Sequence, residues 1–236
     1  MRHIEQLILY MEELQASDLL LIPGKPPTYK VHLRFVNDDG PPLLPMDTEA
    51  FARYLLTEEQ LKRFEREKQL DFAWGPGTGS RYRINLYQQR NTVSFAIRAI
   101  SAVPPLPEEI GLPEALVALT DRPSGLILVT GPTGSGKSTT LAALIENLNR
   151  KRQLHIITIE DPIEYVFTSK TALISQREVG TDVPSFPLAL RAALRQAPNV
   201  IVVGEMRDLE TMRAAITAAE TGHLVLATLH TRSAAQ

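Results

Sequence analysis

Short, continuously apolar segments alternate with amphipathic segments through the second half of the chain. The apolar ones predict strands over 126–130, 154–159, 200–203 and 224–228. The amphipathic ones predict helices over 136–149, 186–196 and 209–221. Strands without polar alternation are typical of a parallel sheet covered by helices on both faces. The pattern therefore predicts an α/β fold with a mainly parallel sheet.

The first hundred residues show a mixed pattern. Apolar residues at helical spacing predict a helix over 4–11, and the charged segment 58–68 predicts a helix with a solvated face. Alternating segments predict strands over 81–88 and 92–100. The segment 75–80, GPGTGS, faintly resembles a nucleotide fingerprint, but no apolar strand precedes it, so we expect a hairpin loop.

Both alternating strands carry arginine on their polar side. Arg83 lies between the apolar Tyr82 and Ile84, and Arg98 falls on the same side of its strand as Ser94. Such a surface suits an anion, and it equally suits solvent. The pattern alone favours solvent.

A proline-rich segment separates the two patterns. VPPLP at 103–107 is incompatible with a helix or a central strand. We therefore expect an N-terminal domain over 1–102, a linker over 103–112 and a second domain over 113–236.

Composition narrows the possible functions. The 236 residues include 25 Lys and Arg against 27 Asp and Glu, a formal charge of −2, so no basic excess indicates nucleic-acid binding. The absence of cysteine excludes thiol catalysis and cysteine zinc sites in this sequence. No apolar run approaches the roughly 18 residues that span a bilayer, so we expect no membrane insertion and a cytoplasmic protein.

One motif identifies a phosphate site. GPTGSGKS, from Gly131 to Ser138, fits the P-loop pattern between a predicted strand and a predicted helix. Its backbone N–H groups and the helix N-terminus favour phosphate. We expect Lys137 to reach the β- and γ-phosphates of a nucleotide and the Ser138 hydroxyl to ligate Mg²⁺.

Two acidic segments follow apolar strands. Glu160, Asp161 and Glu164 come after the second strand of the predicted sheet, at the edge where ligands bind, and clustered carboxylates there suit Mg²⁺. A capped turn whose acids face water is the alternative. After the third strand, Gly204 occupies the place of the usual magnesium-side Asp, and Glu205 is placed to orient or deprotonate water. Both segments are therefore interpreted as one site.

Other candidates carry weaker signals. Arg191 and Arg195 are four residues apart and share a helix face. His230 lies beyond the carboxyl end of the last strand, on the ligand edge, whereas His223 lies before its start, on the wrong edge.

The motifs together resemble a known family. GPTGSGKS, IITIEDPIEY, VIVVGEMRD and TAAETGHLVLATLHT occur in this order over about 100 residues. They resemble the Walker A motif, aspartate box, glycine-bearing Walker B and histidine box of the type II/type IV secretion ATPases. ASDLLL near residue 18 is similar to the start of the N-terminal domain of the pilus retraction branch, and we expect nothing before that domain.

The resemblance implies a fold, cofactors and partners. It implies a RecA-like P-loop core preceded by a PAS-like α+β domain, ATP with Mg²⁺, and a ring hexamer beneath the cytoplasmic membrane. It also implies an inner-membrane pilus platform protein as partner and pilus retraction in twitching motility as the function. Pilus assembly, type II secretion and, further away, nucleic-acid translocation are the alternatives.

The resemblance also implies roles for individual residues. The catalytic set is Glu205, Glu164, Arg83, Arg98 and His230, and the metal set is Ser138, Glu160, Asp161 and Glu164. The nucleotide-binding set is Gly131, Pro132, Thr133, Gly134, Ser135, Gly136, Lys137, Ser138, Thr139, Arg191, Arg195 and Arg207.

Three features depart from the family pattern. Ala197 and Asn199 stand where the family has acids, and Leu20 stands in a segment usually of SDLHL type. TRSAAQ ends where the family begins another helix, so we expect this chain to be a fragment lacking a C-terminal helical region.

Overall fold

The chain forms two compact units. The computed structural model describes residues 3–75, 81–100, 103–132 and 134–229. The units are Met1–Ile100 and Ser101–Gln236. Within the described residues, the proline-rich segment 103–113 contains neither helix nor strand.

The first unit is built on an antiparallel sheet with helices. Its strands pair in the order β3-β2-β1-β6-β5-β4. The helices are α1 (Ile4–Glu13), α2 (Pro45–Leu55) and α3 (Glu58–Glu67), and the strands are β1 (Asp18–Leu21), β2 (Thr28–Val31), β3 (Arg34–Asn37), β4 (Gln69–Trp74), β5 (Arg81–Gln89) and β6 (Thr92–Ile100).

Periodicity explains the main elements of this unit. The four apolar residues that predict the first helix are the buried face of α1, and only Phe64 of the charged helix α3 is buried. In β5, Tyr82 and Ile84 are buried while Arg83 is exposed, which confirms the predicted alternation. Ser94 of β6 is an exception, because it is fully buried although the pattern places it on the polar side. The predicted loop at 75–80 falls mostly on residues 76–80, which are outside the described residues.

The second unit is an α/β layer structure. Its five strands are all parallel, in the order β7-β11-β10-β8-β9. The elements are α4 (Glu114–Val117), a 3₁₀ turn (Ala118–Asp121), β7 (Gly125–Thr130), α5 (Lys137–Lys151), β8 (His155–Glu160), β9 (Leu173–Glu178), α6 (Phe186–Ala193), β10 (Val200–Val203), α7 (Leu209–Glu220) and β11 (Leu224–Leu229).

Helices cover both faces of this sheet. The face containing Ile156 and Val202 packs against α5, and the face containing Ile157 and Val203 packs against α6 and α7. The predicted α/β fold class is confirmed. The edge strand β9 was not predicted, because LISQRE lacks the continuous apolar pattern of a central strand.

A buried carboxylate fixes the far end of α5. Glu146 is 1% exposed and accepts hydrogen bonds from Arg150 Nε at 2.6 Å, from Asn149 Nδ2 at 3.0 Å and from Lys170. Burial raises the pKa of Glu146, but the hydrogen bonds from Lys170 and Arg150 outweigh it and hold that pKa below its ordinary value. Because the Lys170 N–H also donates to Asn149 Oδ1 at 2.9 Å, the segment before β9 is tied to the helix that follows the P-loop.

In the part of the chain that the structure describes, no helix is both long and apolar enough to cross a membrane.

Candidate nucleotide site

The P-loop connects β7 to α5 at the carboxyl edge of the parallel sheet. Gly136 caps the start of α5 with φ +88°, a left-handed conformation that disfavours residues with a Cβ. Gly131 has φ +154°, and a Cβ there would lie 2.6 Å from Ser135 Oγ. The backbone therefore turns tightly enough to direct N–H groups into the loop. Thr133 lies outside the described residues.

Lys137 is folded back over this loop. It is the first residue of α5 and only 7% exposed. Its Nζ donates to the carbonyl oxygens of Gly131 and Pro132, both at 2.9 Å. The ammonium thus lies inside the turn, where a phosphate group bound by the loop would meet a positive charge.

Neighbouring residues hold the carboxylate at the end of β8 by hydrogen bonds. Glu160 ends β8, and its Oε1 accepts from Thr158 Oγ1 at 2.6 Å and from Gln176 Nε2 at 3.1 Å. Its Oε2 accepts from the Glu164 N–H at 3.4 Å. Burial raises the pKa of Glu160, and the hydrogen bonds from Thr158 and Gln176 act in the opposite direction.

The three acids predicted to ligate Mg²⁺, Glu160, Asp161 and Glu164, differ in their surroundings. Among the described residues, no three His, Asp or Glu side chains are arranged to hold a metal ion. Glu160 is occupied by hydrogen bonds, whereas Asp161 and Glu164 are exposed in the loop beyond the strand. Glu160 thus ends β8 while Asp161 and Glu164 lie in the loop that follows, and their convergence on Mg²⁺ stays a prediction.

Two residues of this region were missed as functional candidates. Tyr165 donates its hydroxyl to Thr139 Oγ1 on α5, at 3.3 Å, and Gln176 bonds both Glu160 and the Tyr165 carbonyl. Tyr165 belongs to the IEDPIEY motif, so its position was a usable signal. Gln176 lies in the unpredicted strand β9, and nothing in its spacing indicates a partner.

Gly204 explains why the usual Walker B aspartate is missing. A Cβ at this position would lie 3.2 Å from Glu160 Cα and 3.3 Å from the Ile159 carbonyl oxygen. The Gly204 N–H donates to that same oxygen at 2.8 Å. A side chain at position 204 would therefore press on the backbone of β8, which would have to shift by a few tenths of an ångström.

Glu205 follows directly and is 9% exposed. Its Oε1 lies 2.8 Å from Nε of Arg207, whose side chain is largely exposed. The backbone around them is fixed by the Met206 N–H, which donates to the Thr228 carbonyl at 3.0 Å. Glu205 is thus a largely buried carboxylate beside the guanidinium of Arg207, followed by a residue whose backbone is hydrogen-bonded to β11.

The structure does not bring Arg191 and Arg195 to the P-loop of the same chain. Both are exposed, and α6 packs on the sheet face opposite α5. Arg191 pairs with Glu210 of α7 at 2.6 Å. Arg195 follows the end of α6, next to Gln196, whose carbonyl meets Nδ1 of His155 at the start of β8. The helix runs back from the ligand edge, so Arg195 lies at the opposite edge.

The two remaining arginines form one pair in the first unit. Arg83 of β5 lies directly opposite Arg98 of β6. Arg98 Nε lies 2.8 Å from Asp18 Oδ1, and Arg83 Nε lies 3.8 Å from Asp71 Oδ1. Partial burial raises the pKa of Asp18, but the Arg98 hydrogen bond contributes to holding it below its ordinary value.

Of the histidines, His223 lies before β11, at the edge opposite the P-loop, as its position predicted. Its Nδ1 is 3.0 Å from the Ala218 carbonyl oxygen at the end of α7. His230 lies outside the described residues.

Comparison with known proteins identifies the family. The family described as type II/IV secretion system protein matches residues 76–236. The chain belongs to this family. As the motifs indicated, it is a nucleotide-binding P-loop ATPase of the secretion type.

Individual relatives are similar over three quarters or more of this secretion ATPase. The type IV pilus retraction ATPase PilT of Pseudomonas aeruginosa is 46% identical over 233 residues, which are 99% of this chain and 68% of that protein. A twitching motility protein of Neisseria gonorrhoeae is 46% identical over 182 residues, covering 77% of this chain and 49% of that protein. The crystal structure of the pilus retraction motor PilT with bound ADP superposes with a TM-score of 0.93 at 48% identity, covering 98% of this chain and 68% of that one.

The glycine contact generates a prediction. Gly204→Ala should lower the free energy of unfolding by roughly 1–3 kcal/mol, the usual cost of overpacking, because the new methyl group would lie 3.2 Å from the backbone of Glu160. Urea denaturation of the purified protein measures this. A variant as stable as the wild type would show that the two strand ends separate easily.

Proposed function

We propose that this chain is the ATP-hydrolysing motor subunit of type IV pilus retraction. The similarity to PilT carries the proposal, because it extends over 99% of the chain rather than over the P-loop alone. The solved PilT motor binds ADP, which agrees with the geometry of the loop before α5.

Nucleotide binding depends on the loop and on α5. Backbone N–H groups from Gly131 to Gly136 would hold the phosphates, and Lys137, already inside the turn, would meet the β- and γ-phosphates. The donor set near the loop fits Mg²⁺ through the Ser138 hydroxyl, with water completing the shell. Mg²⁺ would neutralise phosphate charge; Asp161 and Glu164 are exposed and could bond its waters, whereas Glu160 is already bonded.

Glu205 is the best candidate for the residue that acts on water. Its carboxylate is buried on a fixed backbone, which suits a group that must hold a small nucleophile in one place. Arg207 covers it and is exposed enough to move to a phosphate oxygen. Glu164 is the second candidate, and His230 is retained as a third.

The arginine pair of the first unit is proposed to contact phosphate. Two like charges directly opposite each other destabilise a sheet, and the carboxylate near Arg83 is 3.8 Å away against 2.8 Å for the one near Arg98. An anion near both would relieve that repulsion. Such contact would couple hydrolysis to movement of the first unit.

The assembly proposed is a homo-hexameric ring at the cytoplasmic face of the inner membrane, working on a pilus platform protein there. The similarity to a retraction motor supports this arrangement. Light scattering of the full-length protein with nucleotide measures the subunit number.

Binding and chemistry should separate between two variants. Lys137→Ala should abolish both ATP affinity and turnover, because it removes the buried cation of the loop. Glu205→Gln should retain nucleotide affinity and lose turnover by about 10²-fold or more, the scale of general-base loss. Fluorescent-nucleotide titration and phosphate release measure the two quantities. Glu220→Gln, an exposed residue of α7, is the control, and equal loss of affinity in Glu205→Gln would contradict its role.

The arginine proposal has its own test. Arg83→Ala or Arg98→Ala should lower turnover at least about 10-fold, since arginines that meet transferring phosphate contribute more than this in related reactions. Arg90→Ala, exposed in the turn of the same hairpin, should have little effect. Turnover of both variants near the wild-type rate would limit the mechanism to the second unit.

Retraction and assembly differ in their cellular outcome. Replacing the chromosomal gene with the Lys137→Ala form should leave cells piliated but unable to twitch, because filaments form and are not withdrawn. Electron microscopy and a twitching assay measure both properties. Cells without pili would instead indicate an assembly ATPase.

A further inference from the structure

The side-chain amide of Gln176 connects several parts of the sheet edge that carries Glu160, Asp161 and Glu164. Gln176 Nε2 donates to Glu160 Oε1 at 3.1 Å and to the Tyr165 carbonyl oxygen at 2.8 Å. Its Oε1 accepts from the Phe167 N–H at 2.8 Å. Both amide protons and the carbonyl oxygen of this half-buried glutamine are therefore in use.

The two acceptors lie at the two ends of the acidic loop. Glu160 is the last residue of β8, and Tyr165 follows Glu164 directly. The residues between them include both exposed acids, Asp161 and Glu164. A single NH₂ group thus holds the start and the end of the segment that carries these carboxylates.

The same loop is tied to the nucleotide-binding helix. The Tyr165 hydroxyl donates to Thr139 Oγ1 at 3.3 Å, two residues beyond Lys137 in α5. A bond network therefore runs from β9 through Gln176 and Tyr165 to the first turn of the P-loop helix. The network thereby connects the loop that carries Asp161 and Glu164 to the helix that begins at Lys137.

We infer that Gln176 is a positioning residue for hydrolysis, which sets the acidic loop, and Glu164 in particular, against the P-loop. The role rests on the proposed function of this site as an ATPase. One of its bonds is to a carboxylate and so is stronger than a neutral hydrogen bond. Since misplacement of a reacting group by about 1 Å can cost 10²-fold in rate, loss of this amide should affect turnover more than binding.

Two variants test this inference in the full-length protein. Gln176→Glu removes both donors, keeps an acceptor for the Phe167 N–H and places a second carboxylate beside Glu160. Gln176→Met has a similar length and is uncharged, and it removes the donors without that repulsion. Gln153→Glu is the matched control, since its exposed side chain has no hydrogen bond among the described residues, and it precedes β8 at the opposite edge of the sheet.

The expected result is a split between kcat and binding. Both Gln176 variants should lower kcat about 10-fold, while the dissociation constant of a non-hydrolysable ATP analogue stays within about twofold of the wild type. Circular dichroism should show an intact fold, and Gln153→Glu should match the wild type. Phosphate release, nucleotide titration and thermal unfolding supply the readouts.

Each other result contradicts the inference in a different way. If Gln176→Met keeps the wild-type kcat, added charge alone explains the glutamate variant. If affinity and melting temperature fall together with kcat, Gln176 is only structural. If the wild-type protein binds nucleotide without hydrolysing it, the proposed function fails, and the positioning role fails with it.

Discussion

The close approach of two neighbouring strand ends determines where the acids of the site lie. Parallel register places Val203 beside Ile159, and the Gly204 N–H then bonds the Ile159 carbonyl at 2.8 Å. A Cβ at 204 would lie only 3.2 Å from Glu160 Cα, so a side chain there would crowd β8, and the acid that follows β10 is Glu205. The carboxylate of β8 is likewise bonded to Thr158 and Gln176 rather than directed at a ligand. The other acids at this edge, Asp161, Glu164 and Glu205, therefore lie just beyond the ends of the two strands.

The sequence predicts those features that depend on burial or on backbone shape. Four of the five parallel strands are mostly apolar, and glycine stands at the P-loop positions whose φ is positive, Gly131, Gly134 and Gly136. Burial and left-handed backbone therefore leave recognisable patterns in the amino-acid sequence, namely apolar runs and glycines. The edge strand β9 is less buried than the central strands and includes the polar Gln176, Arg177 and Glu178. Its sequence therefore lacks a clear strand pattern of apolar residues.

Side-chain partners are the part that the sequence does not predict. The acidic residues Glu160, Asp161 and Glu164 predict a metal cluster, but they do not reveal that β8 ends after the first, which is hydrogen-bonded while the other two are exposed. The spacing of Arg191 and Arg195 predicts a shared helix face and nothing about which sheet face that helix covers. Gln176 and Tyr165 are connected only through the paired register of β8 and β9 and the course of the loop between them.

Lys137 has a further consequence for the energetics of ligand capture. Its ammonium group is satisfied by two carbonyl oxygens of the loop it belongs to, so the turn is already ordered by an internal cross-link. The conformational entropy of shaping this turn is lost during folding and not during association, which favours affinity through preorganisation. When a nucleotide binds, its anionic phosphate oxygens would replace the two neutral carbonyl oxygens as hydrogen-bond acceptors of Lys137 Nζ. In this exchange the Lys137 ammonium would keep its place beside the loop, and only the acceptors around it would change.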